Sequence, residues 1–205
     1  MSLARLLPLA FVMIAGPQIL SAIFLATSDR WKGNSAAFVA GAAIAVTTVT
    51  TLAFLLSSGA SDQGASNTTL NVIVMVLLVA AALHTFLTRK QAKPPAWMGK
   101  LETAKPKGAF KLGFLLLGVF PSDLLTSIAV GGYASSHGYP WWYLLGFIGV
   151  TALFVALPAL LVLALGARAQ KFLPAVRDWM NDNSWIVGEI VLALFIAMTA
   201  SNLSS

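Results

Sequence analysis

Six apolar runs alternate with short polar stretches along this chain. They lie at Leu6–Thr27, Ala36–Ser57, Leu70–Leu87, Phe110–Gly131, Trp141–Leu165 and Trp185–Leu203. Each is close to the ~20 apolar residues a helix needs to cross a bilayer. The third has the weakest edge, because Asn67-Thr68-Thr69 leads into it. The pattern predicts an all-α integral membrane protein of six transmembrane helices. Two runs carry a breaker at their middle: Gly16-Pro17-Gln18 in the first and Pro121-Ser122-Asp123 in the fourth. A proline has no N–H to donate and its ring collides with the preceding turn, so both helices are expected to bend or break there. Pro158 is expected to interrupt the fifth.

The polar stretch over 89–108 is the longest between runs, and Pro94, Pro95, Pro106 and Gly108 give it the composition of a linker. It divides the chain into a first three-helix repeat, 1–88, and a second, 109–205. Superposing the two prolines sets Gln18 opposite Ser122 and Leu20 opposite Leu124. An odd number of spans separates the two broken helices, so they cross in opposite directions. Interrupted helices at matching places of a 3+3 inverted repeat mark the midplane binding site of many secondary transporters.

Composition agrees with a membrane protein. Mean hydropathy is +0.83, 58% of residues are hydrophobic and only 10% are charged, against roughly a quarter charged in soluble domains. The formal charge of +6 sits in short loops, which is no footprint for nucleic acid. Arg30 and Lys32 follow the first run. Arg89, Lys90, Lys93, Lys100, Lys105 and Lys107 follow the third, and Arg168, Lys171 and Arg177 the fifth. The stretches Ser58–Thr69 and Gly132–Pro140 hold no Lys or Arg. The positive-inside rule therefore places the basic loops in the cytoplasm and both termini outside, in a multi-pass protein of the cell membrane. The aromatic anchors Trp31, Trp97, Trp179 and Trp185 fit the cytoplasmic interface, and Trp141-Trp142-Tyr143 the outer one. Arg5 ahead of the first run gives it some likeness to a signal peptide. Its apolar length exceeds the ~7–15 residues of a secretory core, and a proline interrupts it. With no cysteine, thiol redox chemistry and thiolate metal sites are excluded, and the two distant histidines make no metal pattern. No cofactor is expected.

The candidate chemistry centres on Asp123. An ionised carboxylate at bilayer depth costs roughly 2.5 kcal/mol or more, and every Lys and Arg lies at a span's end. Such a group is neutralised by a proton, by water or by a cationic ligand. Ser122, Thr126 and Ser127 accompany it, the last two at i+3 and i+4. Gln18 and Ser21 lie beside Pro17, and Thr47 and Thr51 share a face of the second span, four residues apart. These form the expected substrate or ion site. The hydroxyls also have a plainer role, bonding their own backbone or a neighbouring helix for about 0.6 kcal/mol each. Glu189, one turn into the sixth span, suits the helix dipole and a pairing with Arg168 or Arg177; a gate is the alternative.

The chain resembles the GAP family of the LysE transporter superfamily, a group that includes proteins addressing sulfolipid or peptidoglycolipid to the mycobacterial cell surface. The residues that carry the likeness are the Pro-bearing first span, Pro95-Ala96-Trp97-Met98-Gly99-Lys100-Leu101 followed by Pro106-Lys107-Gly108-Ala109-Phe110, and the fourth-span motif. Asp178-Trp179 through Asn183, leading into an apolar last helix, completes it. The resemblance implies a six-span exporter, with substrates in related groups ranging from amino acids and cations to glycolipids. In the family the fourth-span motif commonly reads Asn-Pro-Lys-Asn, whereas here it is Phe120-Pro121-Ser122-Asp123. The local charge is reversed, which favours a proton-coupled step or a cationic group over an anionic lipid.

The function expected is a secondary-active exporter of a small polar or cationic solute, or of a lipid-linked molecule, working by alternating access. A non-transporting scaffold of a lipid export or synthesis complex is the alternative. An enzyme is not expected, because no paired carboxylates or Ser/His pair lie at depth. Membrane lipids are the expected partners. Small-residue runs such as Ala40-Gly41-Ala42-Ala43 are also compatible with a homodimer.

Overall fold

The computed structural model describes residues 9–57, position 12 excepted, and 103–183, with isolated positions at 79–101 and 186–197. Most of the third and sixth apolar runs and of the linker falls outside the described residues.

Residues 9–11 and 13–14 are helical and run into a turn at Ala15-Gly16. Gly16 has φ 131° and ψ −141°, backbone that a side chain with a Cβ rarely adopts. From it starts α1 (Pro17–Ala26). Pro17 opens the helix at a position whose N–H would have had no helical partner. Helix α2 (Trp31–Ser57) has 27 residues, about 40 Å of rise and more than the hydrocarbon core demands. It begins before the expected Ala36, and the buried Asn34 finds partners for its amide nitrogen inside the fold. Its Nδ2 donates to Ser28 Oγ (2.9 Å) and to the Ala104 carbonyl (3.0 Å).

Helices α3 (Pro106–Gly118) and α4 (Pro121–Ser136) are bent by 63° at the break between them. Phe120 is extended, as a residue before proline prefers. Pro121 leaves the Leu117 carbonyl without its usual donor four residues on. A short 3₁₀ turn, Trp141–Tyr143, leads into α5 (Leu144–Leu165). Pro158, expected as a break, lies inside α5, and the helix runs through it. Membrane helices tolerate an internal proline when local adjustment satisfies the freed carbonyl. The basic stretch after the fifth run, expected as a loop, is a helix, α6 (Ala167–Asp182). Ala169 and Leu173 are buried one turn apart, while Arg168 and Lys171 are exposed. That segregation makes it amphipathic.

Among the described residues, two helices are long and apolar enough to cross a membrane: Trp31–Ser57, and Trp141–Leu165 taken with its leading turn. The α3–α4 pair makes a third if it forms one broken span. The described residues are helical or irregular, with no strand among them. This is a helical membrane protein.

The chain forms two compact units, one of residues 1–61 with 95–178 and the other of 62–94 with 179–205. In the first, α2 packs in parallel along α3 and α4. A Cβ on Gly41 would collide with the Phe110 carbonyl, and one on Gly113 with the Phe38 carbonyl. Further along, a Cβ on Gly131 would strike the Thr50 carbonyl. The two backbones touch, as small residues allow where helices in lipid gain their stability from close packing. In the second unit, Val79, Leu83 and Leu87 are helical and exposed at intervals of four, and Asn183 Nδ2 donates to the Trp179 carbonyl (2.8 Å).

Candidate functional site

The two proline breaks bring their polar residues together. Gln18 is the second residue of α1 and Asp123 the third of α4, so each lies in the first turn after a break. Gln18 Nε2 donates to Asp123 Oδ2 at 2.6 Å. Ser122 Oγ donates to the other carboxylate oxygen, Oδ1, at 3.1 Å. Asp123 has no solvent-accessible surface and Gln18 retains 2%. Both breaks put helix N-termini, with their partial positive charge, beside this pair.

Acceptor capacity is left over. Gln18 Oε1 and Ser127 Oγ are buried and have no hydrogen-bond partner among the described residues. Ser127 is four residues past Asp123 on the same face of α4. Buried polar atoms are nearly always satisfied, so these two are open to a water or a ligand.

Ser21 and Thr126 take the plainer role. Ser21 Oγ donates to the Pro17 carbonyl (2.6 Å), and Thr126 Oγ1 to the Ser122 carbonyl (2.8 Å). Each bond returns one residue to the first turn of its own broken helix, stiffening the frame that carries Gln18 or Asp123. Thr47 and Thr51 are half-buried. Thr51 Oγ1 accepts from Trp141 Nε1 at 3.0 Å, which ties it to the aromatic turn ahead of α5.

The sequence places Thr47, Thr48, Thr50 and Thr51 in one cluster of the second span; sequence reasoning chose Thr47 and Thr51 from it rather than Thr50, and overlooked Thr151. Thr50 is the fully buried threonine of its cluster and donates to the Val46 carbonyl (2.7 Å). Thr151 is buried and its Oγ1 has no partner among the described residues. Its signal was present, since it stands two turns ahead of Pro158 on one helical face. Glu189 is half-buried, and its Oε1 is shielded with no partner among the described residues. Arg177 Nε pairs with Asp178 Oδ1 at 2.8 Å, and its guanidinium lies 4.7 Å from the centre of the Phe24 ring. No group of three His, Cys, Asp or Glu among the described residues could hold a metal ion.

The fold and this pair define a class: a helical membrane protein with two interrupted helices that meet through buried polar side chains. The chain belongs to the family of Sap, the sulfolipid-1-addressing protein, which matches it over residues 6–203. No curated protein and no solved structure matches it.

Proposed function

We propose that this protein is a secondary-active exporter that moves a lipid-linked molecule, or a small polar or cationic solute, outward across the cytoplasmic membrane by alternating access. The family's name joins it to a lipid-related membrane process. The observation that carries the transport reading is the Gln18–Asp123 hydrogen bond at 2.6 Å between two interrupted helices. Asp123 binds and releases a proton, or pairs with a cationic group of the substrate. The open acceptors Gln18 Oε1 and Ser127 Oγ, with the N–H groups of the α1 and α4 N-termini, hold the polar part of the cargo.

The bond also suggests how charge at Asp123 is felt in the first span. An ionised carboxylate accepts from the Gln18 amide nitrogen, whereas a neutral carboxyl presents an O–H that suits the amide oxygen instead. Rotating the Gln18 amide then accompanies every change of state at Asp123. The reading also includes six spans and the 3+3 inverted repeat, and with them the wider LysE superfamily. The two compact units favour this, because each draws matching spans from both halves of the chain.

The test is proton movement in liposomes that contain purified protein and candidate amines, amino acids or lipids. A substrate-linked proton signal that Asp123→Asn abolishes supports the exporter. If no candidate gives a signal and the mutant equals the wild type, the protein serves instead as an accessory subunit of a lipid export complex. That second reading suits an addressing protein and predicts that neutralising the basic residues of 89–108 abolishes function.

A further inference from the structure

A trough runs between α2 and α5, and neither Gln18 nor Asp123 lines it. Its volume is ≈ 570 Å³, and it is lined by Ala36, Val39, Ala40 and Ala43 on α2 and by Ala156, Ala159, Leu160 and Leu163 on α5. Short side chains on both helices leave room for it, and its walls are almost wholly apolar. Between Lys32 and Ala43 it extends roughly 16 Å along α2, a length suited to an extended hydrocarbon chain.

The end nearest the start of α2 differs in kind, being lined by Trp31, Lys32 and Ser35. Lys32 is exposed, with Nζ 5.6 Å from the Trp31 ring centre. Ser35 is only 6% exposed, yet its Oγ has no hydrogen-bond partner among the described residues. A buried hydroxyl that lines a trough and bonds nothing calls for an acceptor supplied by whatever fills the space. Tryptophan and lysine at the end of a hydrophobic helix mark headgroup level.

We infer that this trough holds one acyl chain of an anionic phospholipid from the surrounding leaflet, with its phosphate on Lys32 and an ester or phosphate oxygen accepting from Ser35 Oγ. The lipid is a resident of the fold rather than cargo, and the inference does not rest on the transport reading. Each part of the occupant meets its complement. The apolar walls take the tail, the lone hydroxyl takes an oxygen, the cation takes the phosphate, and the indole ring lies at the glycerol.

Native mass spectrometry of the delipidated protein, offered phosphatidylglycerol or phosphatidylcholine, tests this. The wild type is expected to retain phosphatidylglycerol preferentially. Lys32→Gln lowers that retention about fivefold, as expected for one basic residue at a membrane surface, and brings the two lipids level. Ala40→Leu fills the trough at an exposed position and lowers retention of both, with an unchanged melting temperature as the check on folding. Equal retention of both lipids by the wild type overturns the inference, as does indifference to either substitution. A single Ala40→Cys in this cysteine-free chain reports on the rival occupant. Disulfide-linked dimers in the membrane would show that a second copy covers the trough.

Discussion

Gln18 and Asp123 are 105 residues apart in the chain and 2.6 Å apart in the fold. Each stands in the first turn of a helix that a proline has just restarted. The bond therefore joins two sites of backbone interruption, and the predictions below follow from that junction and from the packing around it.

Gln18→Leu removes the amide that donates to Oδ2 and leaves a buried carboxyl group short of a partner. An unsatisfied buried acceptor costs about 1–3 kcal/mol, so the variant is expected to melt at a lower temperature in detergent. Gln18→Leu combined with Asp123→Leu should recover much of that loss, because the double variant leaves neither member of the bond orphaned. A double variant no more stable than Gln18→Leu alone would show that the pair contributes little to the fold.

Asp123→Asn keeps the shape of the side chain and removes the titrating group, exchanging one acceptor oxygen for an N–H donor that suits the open Gln18 Oε1. Its stability should stay close to wild type, and any dependence of transport on the pH gradient should vanish. Fluorescence of a pH dye trapped in vesicles reads this directly. Residual coupling at wild-type strength would move the coupling role elsewhere.

Gly113→Val places two methyl groups where the Phe38 carbonyl of α2 lies. Overpacking of this kind costs roughly 1–3 kcal/mol where neighbours can give way, and more where the obstacle is backbone. The expected result is poor expression or early unfolding. Gly108→Ala, in the same helix but with open space around its Cβ position, serves as the neutral comparison.

Pro121→Ala restores a backbone donor at the centre of the bent pair. Proline is well tolerated at the first position of a helix, so the variant is expected to stay close to wild type in stability and, if the restored N–H lets the two helices run together, to be less active, with the α4 N-terminus no longer presented to the site. An unimpaired transport rate would separate function from the break.

How much of this was legible in the sequence depended on whether the chemistry was local. Pro17 and Pro121 announce their breaks because a missing N–H acts on the same chain segment. Pro158 has the same chemistry and no break, since a helix within a membrane protein can absorb one proline. The alignment of the two prolines set Gln18 opposite Ser122, whereas its partner is the next residue, Asp123; a one-residue offset on a helix is decided by rotation, which no pairwise alignment records. The threonines of α2 show the same limit. The helix is apolar on nearly every face, so nothing local distinguishes Thr47 and Thr51 from Thr50. The approach of Gly131 to the Thr50 carbonyl sets which of them turns inward, and that is a fact about another helix.

The Trp141–Thr51 hydrogen bond at 3.0 Å links the aromatic turn to α2 and can be weighed by a double-mutant cycle. Trp141→Phe and Thr51→Val are expected to couple by about 0.6 kcal/mol, the average for such bonds in membranes. Strictly additive effects on the melting temperature would mean that the bond contributes nothing to stability.

The reciprocal contact of Gly41 with the Phe110 carbonyl and Gly113 with the Phe38 carbonyl joins a helix from before the basic linker to one from after it. Two backbones in contact cannot slide past each other without first separating, and a close-packed interface resists that. If the two halves of the chain move against each other during a transport cycle, this crossing is their pivot. Displacement would then be smallest here and grow along each helix like the swing of a lever, so that a probe at Gly41 stays still while probes at the helix ends travel.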